Sequence, residues 1–340
     1  MARRQVVESL ATRQRGVALI TALVILAIAA TLSAAMIWQG GLDERRTATL
    51  IQGNQAMEYA LGAESWAEQI LIRDFKQPQS GSSNNGVNLG QDWAQQLPPL
   101  PVEGGQIIGH IEDMQGRFNL DLLQSQGQTA AVYKAQFVRL LTALNLDPAI
   151  ADAVSDWVNS GTIPTQPNGA KDDFYSRLQP PYLTALAPMT SVSELELVKG
   201  MTPQAYAALL PYVCAIPLSI GSSTSTPGTG TAPGGWALNV NTALPLLLTT
   251  LSSNVSEDQV AAVVAARASQ GIPVGDFNKI ISFQSTNPNA AGAPPPVGNT
   301  SSYFLLTVTV EIGSTHVTMY SLLYSSGASV SAVRRTFGTL

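Results

Sequence analysis

The chain has 340 residues, a net charge of −5, one cysteine and two histidines. That length allows one domain with a large insertion, or two domains, beyond any membrane segment. Cys214 alone excludes an intramolecular disulfide, and the acidic balance speaks against a nucleic-acid partner, whose phosphates demand a basic face.

The first 16 residues carry Arg3, Arg4, Arg13 and Arg15 against one acid, Glu8, and end at Gly16. Residues 17–38, VALITALVILAIAATLSAAMIW, then run for 22 positions without a charge. About 20 apolar residues at about 1.5 Å each cross a hydrocarbon core, and the preceding arginines hold the amino terminus on the cytoplasmic side. A plain signal anchor is one reading, and a cleaved secretory signal is another, because Ala27-Ile28-Ala29 has the small-x-small pattern of a cleavage site. The apolar run, however, continues past it. The leader is worth +3, so the remainder carries −8.

Beyond the span the pattern stays helical. Met57, Ala60, Ala63, Ala67 and Ile70 recur at three and four residues, and Pro78 ends the run. Gly40-Gly41 and Gly53 predict a kink near the membrane surface. A continuous helix over 17–76 would be about 90 Å long.

Residues 77–105 read as loop, and 106–113 as a strand that turns near Gln115-Gly116 into 117–120. Strand pattern returns at 303–311 and 315–324, where Leu306, Val308 and Val310 alternate with Thr307, Thr309 and Glu311 around the turn Ile312-Gly313-Ser314. A last strand is expected over 332–337. Between the two sets lie about 180 residues of mainly helical pattern. Helices are expected over 132–144, from Asp147-Pro148 through Val154 and Trp157, and from Thr202-Pro203 to Val213. A capping box, Ser256 to Gln259, opens a further helix. Residues 219–235 and 284–302 are low-complexity linkers. Asn119-Leu120-Asp121 and Asn239-Val240-Asn241 form an imperfect repeat, each leading into an apolar helix. The segments 239–271 and 194–206 look like helix-hairpin-helix units; with sparse basic residues they read as packing modules.

The fold class is therefore α+β: a long amino-terminal helix on a small antiparallel sheet, with a large helical domain inserted between strands. The expected boundaries are a leader over 1–16, a transmembrane part over 17–38, an outer helix over 39–76, loop and first strands over 77–120, the insertion over 121–283, a linker over 284–302 and closing strands over 303–340. Catalytic patterns are absent from the sequence. His110 and His316 read as strand residues without zinc spacing, and Glu112 and Asp113 point to opposite strand faces. No nucleophile elbow, P-loop or dinucleotide fingerprint appears.

The junction Arg15-Gly16 before Val17-Ala18-Leu19-Ile20-Thr21 resembles the type IV prepilin site. The resemblance implies cleavage between Gly16 and Val17 by the prepilin peptidase and methylation of Val17. Most of that family carry glutamate at the fifth mature position, where this chain has Thr21. A carboxylate in lipid is costly unless paired, in the family with the amino terminus of the subunit above. Its loss points to a subunit with none above it; the plainer reading is that Thr21 tolerates the bilayer by bonding back to its own helix. Asp156-Trp157, the run 167–175 (PNGAKDDFY), Pro180-Pro181-Tyr182, 191–201 and 239–243 resemble signature segments of the K-type minor pseudopilin of type II secretion.

That resemblance implies a pseudopilin fold at the tip of a periplasmic pseudopilus. There it would start or cap assembly in export of folded proteins across the outer membrane. It implies I-type and J-type minor pseudopilins and the major pseudopilin as partners, contact with the secretin and secreted substrates, and a single-pass inner-membrane location with the carboxy-terminal domain in the periplasm. It also implies calcium, with Asp156, Asp172, Asp173, Asn159 and Asn168 as the expected ligands if the loop 161–169 folds back. The competing reading makes Asp172 and Asp173 caps of a helix near Phe174, with Asp156 solvated. The alternative from another class is a signal-anchored periplasmic enzyme or binding domain.

Overall fold

The computed structural model describes residues 2–76, 86–125, 127–218, 236–268, 270–283 and 293–338, with side chains from residue 18 onward except those of 127 and 128. The linker expected over 219–235 lies outside the described residues, as do residues 284–292 of that expected over 284–302.

Helix α1, Ala2–Lys76, runs through Gly40, Gly41 and Gly53 without interruption, so the expected kink has no break in the helix to support it. Nothing lies within 4 Å of where a Cβ on these glycines would be, so no neighbour forces a bend there. Burial begins only at Ala56, and Ala56, Ala60, Glu64, Ala67 and Leu71 form the inward face. This face lies one step around from the expected stripe: Met57 is 42% exposed, and Ala63 and Ile70 are half-buried. Alanine at three of the five positions lets the helix lie close against the sheet.

After the loop come β1, Leu100–Val102, and β2, Gly105–Asp113. The expected turn into 117–120 takes another course. A 3-10 turn at Met114–Gly116, with Asp113 accepting from the Gln115 N–H, leads the chain out of the sheet into β3, Phe118–Asn119. The insertion continues through α2, Gly127–Ala143, α3, Ile150–Val158, α4, Asp172–Tyr175, and α5, Pro203–Leu209, to β4, Val213–Cys214. Thr202 caps α5 as expected, but the helix ends at Leu209, since Pro211 cannot continue it and Val213 is needed as a strand. A second half holds β5, Leu238–Asn239, α6, Pro245–Thr249, α7, Glu257–Arg267, α8, Val274–Ile280, and β6, Val297–Gly298. The Ser256–Gln259 capping box is present at the start of α7.

The two asparagine motifs are structurally equivalent. Each closes a two-residue strand in a parallel pair, β3 with β4 and β5 with β6. In each, the asparagine carboxamide oxygen accepts the N–H two residues on, from Asp121 at 3.2 Å and from Asn241 at 3.0 Å.

The chain returns to the main sheet as β7, Tyr303–Ile312, β8, Thr315–Ser325, and β9, Val330–Phe337. The order is β1-β2-β7-β8-β9, antiparallel throughout, with Asp113 opposite Phe304 and Gly105 opposite Ile312. Phe304, Leu306, Val308, Val310 and Ile312 face α1, as the alternation requires, and form one core with Met319 and Leu323. The second core fills the insertion around Phe118, Phe137, Trp157, Tyr175, Leu247 and Phe277.

The direction of α1 along the sheet fixes the poles of the head. Gln52 meets the β7–β8 turn through Thr315 at 3.3 Å, whereas Phe75 packs on Phe304 with ring centroids 5.7 Å apart. The insertion leaves after Asp113 and rejoins at Tyr303, both at the Phe304 end. It therefore occupies the pole farthest from the apolar part of α1.

Candidate functional site

Residues 18–41 of α1 are exposed along their whole length, with large side chains such as Leu19, Ile20, Leu23, Ile25, Leu32 and Trp38 bare of any contact from the head. In water this would be untenable. In a bilayer it is an apolar cylinder, provided its polar atoms are satisfied internally. They are: Thr21 Oγ1 donates to the Ala18 carbonyl at 3.0 Å, Thr31 to Ile28 at 2.9 Å and Ser33 to Ala29 at 2.8 Å. Thr21 thus needs nothing from a neighbouring chain. The helix is long and apolar enough to cross a membrane. The side chains at the Gly16-Val17 junction lie outside the described residues.

The insertion is locked to the sheet by a buried polar cluster that the sequence pattern did not reveal. Asp113 Oδ2 accepts from Asn239 Nδ2 at 2.9 Å, from Thr242 Oγ1 at 2.6 Å and from Ser301 Oγ at 2.6 Å, while Oδ1 accepts the Gln115 N–H at 2.8 Å. Burial pushes this carboxyl up from its ordinary range, and the four donors pull it back. Its strand neighbour Glu112 faces the other way, toward Arg117 Nη2 at 2.7 Å.

The expected calcium ligands do come together in one loop, but their oxygens are turned to other partners. Asp156 is buried rather than solvated, and its two carboxylate oxygens accept from Thr165 N at 2.9 Å and Thr165 Oγ1 at 2.7 Å. Its main-chain carbonyl and that of Asn159 both accept from the Lys171 ammonium, the latter at 2.7 Å. Asn168 donates its amide to Asp152 Oδ2 at 3.1 Å and offers its carbonyl to Lys199 Nζ at 3.1 Å. Asp172 Oδ1 accepts from Thr184 N at 2.9 Å and Oγ1 at 2.5 Å, bonds that hold its carboxyl below the usual carboxylate range. Asp173 is exposed on α4. Neither Asp172 nor Asp173 caps that helix; Lys171 stands at the cap position, without a side-chain cap bond.

Calcium takes six to eight oxygens in one shell. Among the described residues no cluster of three or more His, Cys, Asp or Glu could hold a metal, and an ammonium sits on the two carbonyls of this loop. The donor set does not fit a calcium ion. Sequence reasoning missed Lys171, Thr165, Thr184 and Lys199. The signal was a lysine placed directly before the two aspartates of the run 169–173, GAKDD.

His110 and His316 lie in β2 and β8, with exposed side chains 3.8 Å from Glu112 and 3.6 Å from Glu311. Cys214 is buried, and desolvation pushes its thiol up, which makes it unreactive. The helix-hairpin-helix turn after α6 is spent on packing: Arg139 of α2 donates to the Thr250 and Leu251 carbonyls at 2.6 and 3.1 Å.

A bare apolar rod on an α+β head, with a helical domain let into the sheet, is a pilin-like architecture whose amino-terminal helix fits a single-pass membrane anchor. Models of the family "Type II secretion system (T2SS), protein K" match residues 116–218 and 238–295. Type II secretion system protein K of Klebsiella pneumoniae is 35% identical over 96% of this chain and 97% of its own length, and that of Pectobacterium carotovorum subsp. carotovorum is 33% identical with the same coverage. The chain belongs to the type II secretion system protein K family. The fold is also that of a chain in the crystal structure of the GspK-GspI-GspJ complex from enterotoxigenic Escherichia coli, at a TM-score of 0.70 and 23% identity, covering 87% of this chain and 100% of the other.

Proposed function

We propose that the chain is the terminal, non-enzymatic minor pseudopilin of a type II secretion pseudopilus, held in the inner membrane by α1 with its head in the periplasm. The position of the insertion carries this reading. A pilin-like fibre grows by stacking heads along their stems, so a subunit that can be stacked upon must leave its membrane-distal pole clear. Here that pole carries the whole helical insertion. Thr21 does not decide between the readings, since a hydroxyl satisfied within its own helix would suit any membrane helix.

The flank of the stem suits lateral neighbours. Tyr59, Trp66, Ile70, Trp93, Leu97 and Ile107 line an apolar cleft of about 550 Å³, and Trp66 is 50% exposed. We assign I-type and J-type minor pseudopilins as partners, in line with the complex whose fold the chain shares, with the major pseudopilin further down the fibre. Contacts with the secretin and with secreted substrates would come from the insertion, the part that leads.

Antibody-gold labelling of pseudopili should place this chain at fibre ends. Regular labelling along the shaft would remove the assignment. The prepilin peptidase should cut between Gly16 and Val17 and methylate Val17, so the intact mass of the purified chain should be that of residues 17–340 plus one methyl group. For Gly16→Leu it should be the uncut precursor, because the side chain blocks the close approach glycine allows. Normal processing of that variant would refute the junction.

A further inference from the structure

We propose that the ammonium of Lys171 is the resident cation of the loop between α3 and α4, closing it without a metal ion. Helix α3 ends at Val158, so its last carbonyls have no partners within the helix and carry the negative end of its dipole. A cation belongs there. Lys171, 5% exposed, places Nζ on the carbonyls of Asp156 and of the cap residue Asn159.

The rest of the loop is arranged around this closure. The Asp156 carboxylate reaches into the middle of the loop and takes both the N–H and the hydroxyl of Thr165. At the far end Lys199 places its own ammonium on the Asn168 and Gly169 carbonyls, at 3.1 and 3.4 Å, and lies over the Phe174 ring at 5.2 Å. Gly169 leaves no room for a side chain: a Cβ there would stand 2.1 Å from Asp156 Oδ2. One ammonium thus fastens the start of the loop and another its end, with Asp156 as the central post. A divalent cation at the Asp156 and Asn159 carbonyls would have to displace Lys171 and then bear repulsion from it at short range. The family's expected calcium chemistry and this chain's residues disagree, and the lysine accounts for the disagreement.

The inference does not rest on the tip assignment, because it is read from the stability of the head. The test uses the full chain in detergent, comparing thermal midpoints in excess EDTA and in about 2 mM calcium, with calorimetric titration of calcium. The native chain should melt within about 1 °C in both media and show no saturable calcium uptake. Lys171→Met, which keeps the length and loses the charge, should melt lower by about 4 °C or more in both. Lys171→Glu vacates the carbonyl pair and adds oxygen ligands, so it should melt lower in EDTA and recover part of the loss with calcium. Saturable calcium binding by the native chain, a calcium-dependent rise of about 4 °C or more in its midpoint, or a Lys171→Met midpoint equal to the native one would each overturn the proposal.

Discussion

Asp121 is fully buried, with Oδ1 accepting the Met189 N–H at 2.7 Å and Oδ2 without a partner among the described residues. Desolvation, aided by Glu194 and opposed by the Met189 bond, raises its carboxyl from the ordinary 3.8 to about 7. The folded chain therefore holds a proton that the unfolded chain has lost between about pH 4 and 7. The stability linked to this proton is complete at low pH and is lost as pH rises through 7. At about 1.4 kcal/mol per unit the loss is at most about 4 kcal/mol. The sister motif shows the remedy: Asn241 stands in the equivalent place, with Oδ1 accepting the Ile272 N–H at 2.8 Å and Nδ2 donating to the Ile272 carbonyl at 3.2 Å. Asp121→Asn should raise unfolding free energy at pH 8 by about 1–2 kcal/mol and at pH 5 by only about a third of that. Urea titrations at the two pH values check this, and an equal loss at both would contradict it. The asparagine repeat was legible in the sequence because each turn closes within two residues. The tie from Lys171 to Asp156 was not, because it joins positions whose proximity depends on how the intervening loop folds. In that loop Gly169→Ala should lower the thermal midpoint by several degrees, since the new methyl would strike a carboxylate oxygen that already holds Thr165.

At the level of elements, α1 is fastened to the sheet by apolar packing and one buried charge. Glu64 is 3% exposed and receives Arg335 of β9 through both Nε and Nη2, at 2.6 to 2.9 Å, together with the Ser321 hydroxyl of β8. This links the helix to the last two strands of the sheet, of which β9 is an edge strand paired with β8 alone. Removing one partner of a buried pair costs more than the pair contributes, because it strands the remaining charge. Arg335→Ala should therefore destabilise the head by about 2–3 kcal/mol, a range reduced because Arg335 itself is half-exposed. Pairing it with Glu64→Gln should restore part of the loss in denaturant titrations. A double variant as unstable as the sum of the two single variants would show that the stranded charge is not the cause. The helix, the β7–β8 hairpin and its inward residues were legible from periodicity, which is local. The contact stripe on α1 was misplaced by one step because alanines at 56, 60, 63 and 67 satisfy two neighbouring faces equally. Only the sheet, through Glu64 and Leu71, decides between them.

On the scale of the whole molecule, two parts of α1 do separate work. Its first half, exposed from Ala18 to beyond Trp38, contributes nothing to either core, while the second half enters the head core at Ala56. The sheet closes with Gln52 at one pole and the insertion at the other, so the rod leaves the head cleanly at the membrane side. Folding of the head should then be indifferent to the rod. A chain starting near Asp43, which removes the bare apolar surface and keeps every buried residue of the stem, should run as a monodisperse species without detergent. It should melt within about 2 °C of the full chain in mild detergent, because no buried area is lost. The same truncation should fail to restore secretion in a strain lacking the full chain, since an unanchored head cannot join a bundle of membrane helices. Aggregation of the truncated head, or a midpoint lower by about 5 °C or more, would mean that residues before 43 pack on the head after all and that the rod is not an independent anchor.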